Sequence, residues 1–228
     1  MTQLFDTYRD TYSETVSASI SFSALPHDFF VAAKVEILAE LFAQHFGAHA
    51  RPSLLDIGCG VGQMHRFLRP HVGELAGCDP SVQSIERARD DNPGIAYKHA
   101  AGPILPWDVA WFDCALAVCV MHHVPPQGWS TFVAEMRRVV RPGGLVIVIE
   151  HNPFNPLTRL AVFRCPFDED AVLLSANRAR FLLRAAGCGE VQSRHFLLLP
   201  FRTKSSRRLE RLTEKAPLGA QYIAFGVA

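Results

Sequence analysis

The chain has 228 residues, 49% of them hydrophobic, and a formal net charge of +1. That size and apolar content suit one domain with a substantial core, and the near-neutral balance excludes a global field that draws nucleic acid or anionic membrane. Six cysteines, at 59, 78, 114, 119, 165 and 188, form no C-x-x-C pair and read as buried reduced thiols of a cytoplasmic protein. No apolar run approaches the roughly 18 residues of a membrane span, and the N-terminus lacks a signal-peptide core.

Residues 1–26 are mixed, with Tyr8 and Tyr12 followed by a serine-rich run that gives poor helix continuity. Val31, Val35, Leu38 and Phe42 then recur at helical spacing up to a stop at Gly47, which predicts a helix over 27–46. Leu54 to Ile57 is a short apolar run of the kind that forms a buried parallel strand. Glycines follow at 58, 60 and 62, and Gln63 to Arg69 reads as a helix stopped by Pro70. A strand, a glycine turn and a helix start make a nucleotide-cofactor site, because free N–H groups face the ligand there. The dinucleotide fingerprint G-x-G-x-x-G is not met: the third glycine falls one place early, and position 63 is glutamine. A second strand ends at Asp79, about 20 residues on, where an acid fits ribose hydroxyls.

Ser81 reads as the N-cap of a helix through Asp91, and 95–99 as a third strand. Cys114 to Val120 is a buried strand by composition, and Met121-His122-His123-Val124-Pro125 ends it. In doubly wound sheets the ligand lies outside the carboxyl ends of the strands, which brings both histidines toward the reacting centre. They read as a general base or polar wall, or as side chains that order the loop. The pair is not a metal site without further ligands.

Trp129 to Val140 reads as a helix, Arg141 to Gly144 as a tight turn and Leu145 to Ile149 as a fifth strand. His151 and Asn152 follow on the ligand side, where they line a substrate pocket or cap the next helix. Asn155-Pro156 continues as loop, Asp168 suits a helix N-terminus, and 177–186 is a clearer helix. The last strands are 190–196 and 221–227. The connection between them, Pro200 to Pro217, is far longer than the roughly two to five residues of a hairpin. It carries Arg202, Lys204, Arg207, Arg208, Arg211 and Lys215. Leu209 and Leu212 share a helical face there. The segment is either a surface helix docked through those leucines, or a basic rim for an acidic or lipid-linked acceptor with peripheral membrane contact.

The phrase Leu54-Leu55-Asp56-Ile57-Gly58-Cys59-Gly60-Val61-Gly62, with Gly77-Cys78-Asp79-Pro80-Ser81 after it, resembles motif I and the acidic ribose loop of class I S-adenosylmethionine-dependent methyltransferases. Leu105-Pro106-Trp107, Phe112-Asp113, the His-His-Val-Pro phrase and Glu135 to Gly144 extend the resemblance to the type-11 small-molecule group. It covers roughly residues 50–150 by motif. It implies an α/β, Rossmann-like fold: a mostly parallel seven-stranded sheet with an antiparallel last strand. It also implies an N-terminal helical lid at 1–48 over a cofactor domain at 49–228, forming one compact unit.

Carried over by position, Asp56, Gly58, Cys59 and Gly60 meet the methionine end of S-adenosylmethionine. Asp79 and Pro80 meet the ribose, Gly102 the adenine, and Cys119 lies beside the methionyl chain. The family's adenine-pairing acid aligns with Ala101, so adenine recognition is left to backbone near Gly102 and to apolar contact. In such a lid Tyr8 and Tyr12 touch cofactor or substrate. The activity implied is methyl transfer to an O, N or C atom of a small-molecule or lipid- or glycan-linked acceptor. His122 and His123 are the nearest bases, and no metal is called for. The other readings are a silent S-adenosylmethionine-binding module and an NAD-dependent oxidoreductase. The latter is opposed by Gln63 and by the missing second half of a dinucleotide fold. A nucleic-acid acceptor is opposed by the lack of an aromatic–basic stacking platform.

Overall fold

Alternation of apolar residues along the short strands sends side chains to both faces of one sheet. The structure, a computed structural model, describes residues 18, 19, 21 and 25–228. Tyr8 and Tyr12 lie outside the described residues. The strands are β1 (Leu54–Ile57), β2 (Leu75–Asp79), β3 (Ala96–His99), β4 (Phe112–Val118), β5 (Val140–His151), β6 (Gly189–Phe196) and β7 (Gln221–Val227). Their order is β3-β2-β1-β4-β5-β7-β6. Pairing is parallel from β3 across to β5, and β7 runs antiparallel between β5 and β6. This is the α/β, mostly parallel seven-stranded architecture that the motifs imply.

The helices are α1 (His27–Phe46), α2 (His65–Leu68), α3 (Val82–Asp91), α4 (Trp129–Arg138), α5 (Pro156–Arg164), α6 (Ala176–Ala185) and α7 (Lys204–Thr213). Leu55, Ile57, Ala115, Ala117, Val146 and Val148 face a layer built on α4 and α6. Their neighbours Leu54, Cys114, Leu116, Leu145, Ile147 and Ile149 face a layer built on α1 and α3. No described helix is long and apolar enough to cross a membrane.

Three expectations are corrected. Residues 156–164 form α5, not loop: the Asn155 side chain accepts the Thr158 N–H at 3.0 Å, and Pro156 occupies the first helical position. Asp168 closes a single 3₁₀ turn, Pro166–Asp168, and no helix follows it through Leu174. In α7 the shared leucine face is not the docking face, since Leu209 is 43% and Leu212 78% exposed. The helix docks through charge. Arg202 and Arg207 bind Glu36, and Arg211 binds Glu40 at 2.8 Å. The i, i+4 glutamates of α1 thus meet the i, i+4 arginines of α7. Those arginines are committed to α1 and line no part of the main cavity, so they form no rim over it.

Candidate functional site

The strand order reverses between β1 and β4, the place where such sheets offer a crevice beyond the carboxyl ends of their strands. A cavity of about 680 Å³ lies there. Every described residue that lines it falls between His27 and Met136. The glycine turn after β1 forms one wall. Gly58 and Cys59 both donate their N–H to the Cys78 carbonyl, at 2.7 and 3.0 Å, which ties the turn to the end of β2. Gly58 has φ +73°, and a Cβ there would stand 2.5 Å from the Val120 side chain. Gly60 has φ +53°, and nothing lies within 4 Å of where its Cβ would be. The first glycine is therefore required by packing, and the second leaves open space at the cavity wall.

Two carboxylates are built into this wall. Asp79 accepts the Gly60 N–H on Oδ2 and the Ser81 N–H on Oδ1, each at 2.9 Å. It therefore holds the glycine turn and starts α3, on the wall of the cavity. Asp56 is held by His65, whose Nε2 lies 3.0 Å from Oδ2, and the other His65 nitrogen meets the Tyr97 hydroxyl at 2.5 Å. The second oxygen of Asp56, Oδ1, is buried with no hydrogen-bond partner among the described residues. A carboxylate oxygen left unpaired in a low-dielectric site is costly and calls for a donor from a ligand.

The far end of the cavity is lined by Ala100, Ala101, Gly102 and Pro103, with Phe132 and Glu135 from α4 opposite. Glu135 accepts the Leu105 N–H at 3.1 Å and pairs with Arg138 at 2.9 Å. A carboxylate does stand at this edge, already engaged in holding the 105–107 turn.

At the end of β4, Cys119 adopts φ +55°, left-handed for a residue with a side chain, and its N–H donates to Ile149. His122 is buried between two acids. Its Nδ1 lies 2.6 Å from Glu150 Oε2 and its Nε2 3.3 Å from Asp168 Oδ1. Desolvation disfavours its charge, but the two carboxylates outweigh that and hold its pKa well above 6.5. Glu150 and Asp168 are correspondingly held below the usual carboxylate range, against their own burial, chiefly by His122. His123 lines the cavity, and burial beside the charged His122 pulls it down to about 4.

Residues 55–148 match the family model of a methyltransferase domain. Over that stretch the chain is similar to the family. A ubiquinone biosynthesis O-methyltransferase of Maricaulis maris is 27% identical over 199 residues, which are 83% of this chain and 72% of that one. A 2-methyl-6-phytyl-1,4-hydroquinone methyltransferase of Synechocystis is 30% identical over 130 residues, 54% of this chain and 40% of that one. Among solved structures, a SAM-dependent methyltransferase of Thermotoga maritima, described as a possible histamine N-methyltransferase, superposes with a TM-score of 0.70. Its identity is 20%, and the match covers 100% of this chain and 99% of that one. The chain spans about half the length of the curated relatives it matches.

In this chain Asp56, Gly58, Cys59, Gly60, Asp79, Pro80, Gly102 and Cys119 all lie on one cavity. His123 joins them, while His122 stands behind the wall. His151 and Asn152 are off it. The Asn152 amide donates to the Pro217 and Gly219 carbonyls at 3.0 and 2.7 Å and closes the loop before β7. Sequence reasoning passed over Lys34, His65 and Glu135. The available signals were the spacing His27–Val31–Lys34 on one face of α1 and Phe132–Glu135–Met136 on one face of α4.

Two partly buried histidines make a pH prediction. His123 and His151 are both pulled from 6.5 to about 4, mainly by burial and then by His122. Glu150 and Asp168 oppose the shift, and Lys34 adds to it at His151. Between pH 6.5 and 4 the unfolded chain binds more protons at these residues, so stability falls with acidification. At pH 5 the loss is on the order of 2 kcal/mol for each histidine. Urea midpoints at pH 7.5 and pH 5 check it; equal midpoints refute it.

Proposed function

We propose that this chain transfers the methyl group of S-adenosylmethionine to an O, N or C atom of a small-molecule or lipid-linked acceptor. The observation that carries this reading is the pairing of the unpartnered buried Asp56 Oδ1 with the Asp79 carboxylate across one glycine-walled cavity. An ammonium satisfies the first acid, and a ribose diol the second. The residues present therefore fit the cofactor. S-adenosylmethionine supplies a methyl already activated on a sulfonium. What remains for the chain is to orient an acceptor and exclude water, and orientation alone supplies several kcal/mol.

His123 is the histidine placed to touch an acceptor, as a neutral hydrogen-bonding wall. His122, clamped by two carboxylates, is read as a positioning residue behind it. Residues 1–48 are read as a lid on the 49–228 domain, supported by His27, Val31 and Lys34 of α1 on the cavity wall. A cytoplasmic location is supported by the six free thiols.

Calorimetry with S-adenosylmethionine, S-adenosylhomocysteine and NAD tests the cofactor. Binding of NAD alone overturns the reading. A labelled-methyl transfer assay then separates an enzyme from a silent binding module. His65 offers a finer check. His65→Phe removes the hydrogen bond that fixes Asp56 and leaves Tyr97 unpaired. It is expected to weaken S-adenosylmethionine by roughly tenfold, about the worth of one hydrogen bond to a charged group. A ligand lacking the amino group should be indifferent to the change, and equal losses for both ligands would refute the role.

A further inference from the structure

The two histidines of the wall also belong to a cluster with Asp168, a residue to which the methyl-transfer reading gives no role of its own. His122, His123 and Asp168 each present one donor atom, and these atoms lie within 4.8 Å of one another. The Asp168 Oδ1 is 3.3 Å from His122 Nε2 and 3.5 Å from His123 Nε2. As hydrogen bonds these are long beside the normal limit of about 3.2 Å. As edges between ligands of one ion they fit, because metal–ligand bonds of about 2.0–2.1 Å at a tetrahedral centre set donors about 3.3 Å apart.

The surroundings are those of a ligand site. His122 Nδ1 meets Glu150 Oε2 at 2.6 Å, and Glu150 Oε1 is in turn fixed by the Met121 N–H at 2.7 Å. A carboxylate behind one ring nitrogen sets the tautomer and directs the other nitrogen's lone pair, as it does for metal-bound histidines. The His122 and Glu150 side chains are each 1% exposed, and Asp168 is 10% exposed. Two carboxylates, Glu150 and Asp168, flank the one imidazole of His122 there. We infer that His122, His123 and Asp168 form a site for one divalent transition-metal ion of the Zn²⁺ or Co²⁺ type, with Glu150 as the outer carboxylate that orients His122.

Two imidazoles and one carboxylate are a borderline-to-hard donor set, which suits such ions and leaves a position for water. On loading, the ion replaces the Nε2 proton of His122, and that proton leaves to solvent. The ion also takes His123 Nε2, so a loaded site removes that nitrogen from the acceptor wall. The inference is independent of the cofactor assignment, because binding is read on the chain without S-adenosylmethionine.

The test is titration of chelator-stripped full-length chain with Zn²⁺ by calorimetry and with Co²⁺ by its visible d–d absorption. One ion per chain is expected, with a Co²⁺ spectrum of low coordination number. His123→Gln and Asp168→Asn should each weaken Zn²⁺ by more than about tenfold. Circular dichroism and melting of the stripped variants check that the fold is kept. Should Asp168→Asn fail to fold, His123→Gln, at the more open edge of the cluster, decides alone. Absence of stoichiometric binding by the parent chain overturns the site. So does binding that survives His123→Gln unchanged, which would place the ion on other histidines. Retained S-adenosylmethionine affinity in the variants keeps the two readings separate.

Discussion

Asp79→Ala is expected to lower S-adenosylmethionine affinity by at least about 100-fold, which corresponds to about 2.7 kcal/mol. The size follows from two roles. In the proposed reading the carboxylate is offered to the ribose hydroxyls, where each charge-assisted hydrogen bond is worth about 1.5–3 kcal/mol. It also fixes the Gly60 and Ser81 N–H groups at 2.9 Å, so its loss loosens the glycine turn that faces the ligand. Gly60→Val should have a comparable effect by a different route. Its side chain would project into the space left open beside Gly60, on a backbone at φ +53° that β-branched residues rarely adopt. Calorimetry reads both variants, with melting to confirm folding. Unchanged affinity in a folded Asp79→Ala protein sinks the assignment of this acid.

Glu150→Ala is expected to cost about 3–5 kcal/mol of folding stability at neutral pH, the usual penalty for removing one partner of a buried ion pair. His122 would lose its 2.6 Å partner, and the Met121 N–H would lose its acceptor. Neither group has water to turn to, since the His122 and Glu150 side chains are each 1% exposed. Urea denaturation measures the loss. A change under about 1 kcal/mol would show that the pair contributes little beyond an apolar replacement.

The sheet and the glycine-walled cavity were legible because their signals are local. Buried strands are short apolar runs, and the turn needs glycine where a Cβ meets Val120. What was illegible depends on which distant residues meet. His122 and His123 are neighbours in sequence with the same chemistry, and only the position of Glu150 and Asp168 sends one behind the wall and leaves the other on it. Leu209 and Leu212 looked like a docking face because nothing in their own segment announced Glu36 and Glu40, about 170 residues earlier. The α5 helix is a different case: Asn155 and Pro156 were adequate start signals, obscured by the weak apolar periodicity after them.

The charge ladder between α1 and α7 makes one helix answer to two masters. Its inward side carries His27, Val31 and Lys34 at the cavity, and its outward side is gripped by Arg202, Arg207 and Arg211. Residues after Met136 contribute no described lining group. A change confined to α7 therefore meets that wall only through α1, and it leaves the glycine turn, Asp56 and Asp79 untouched.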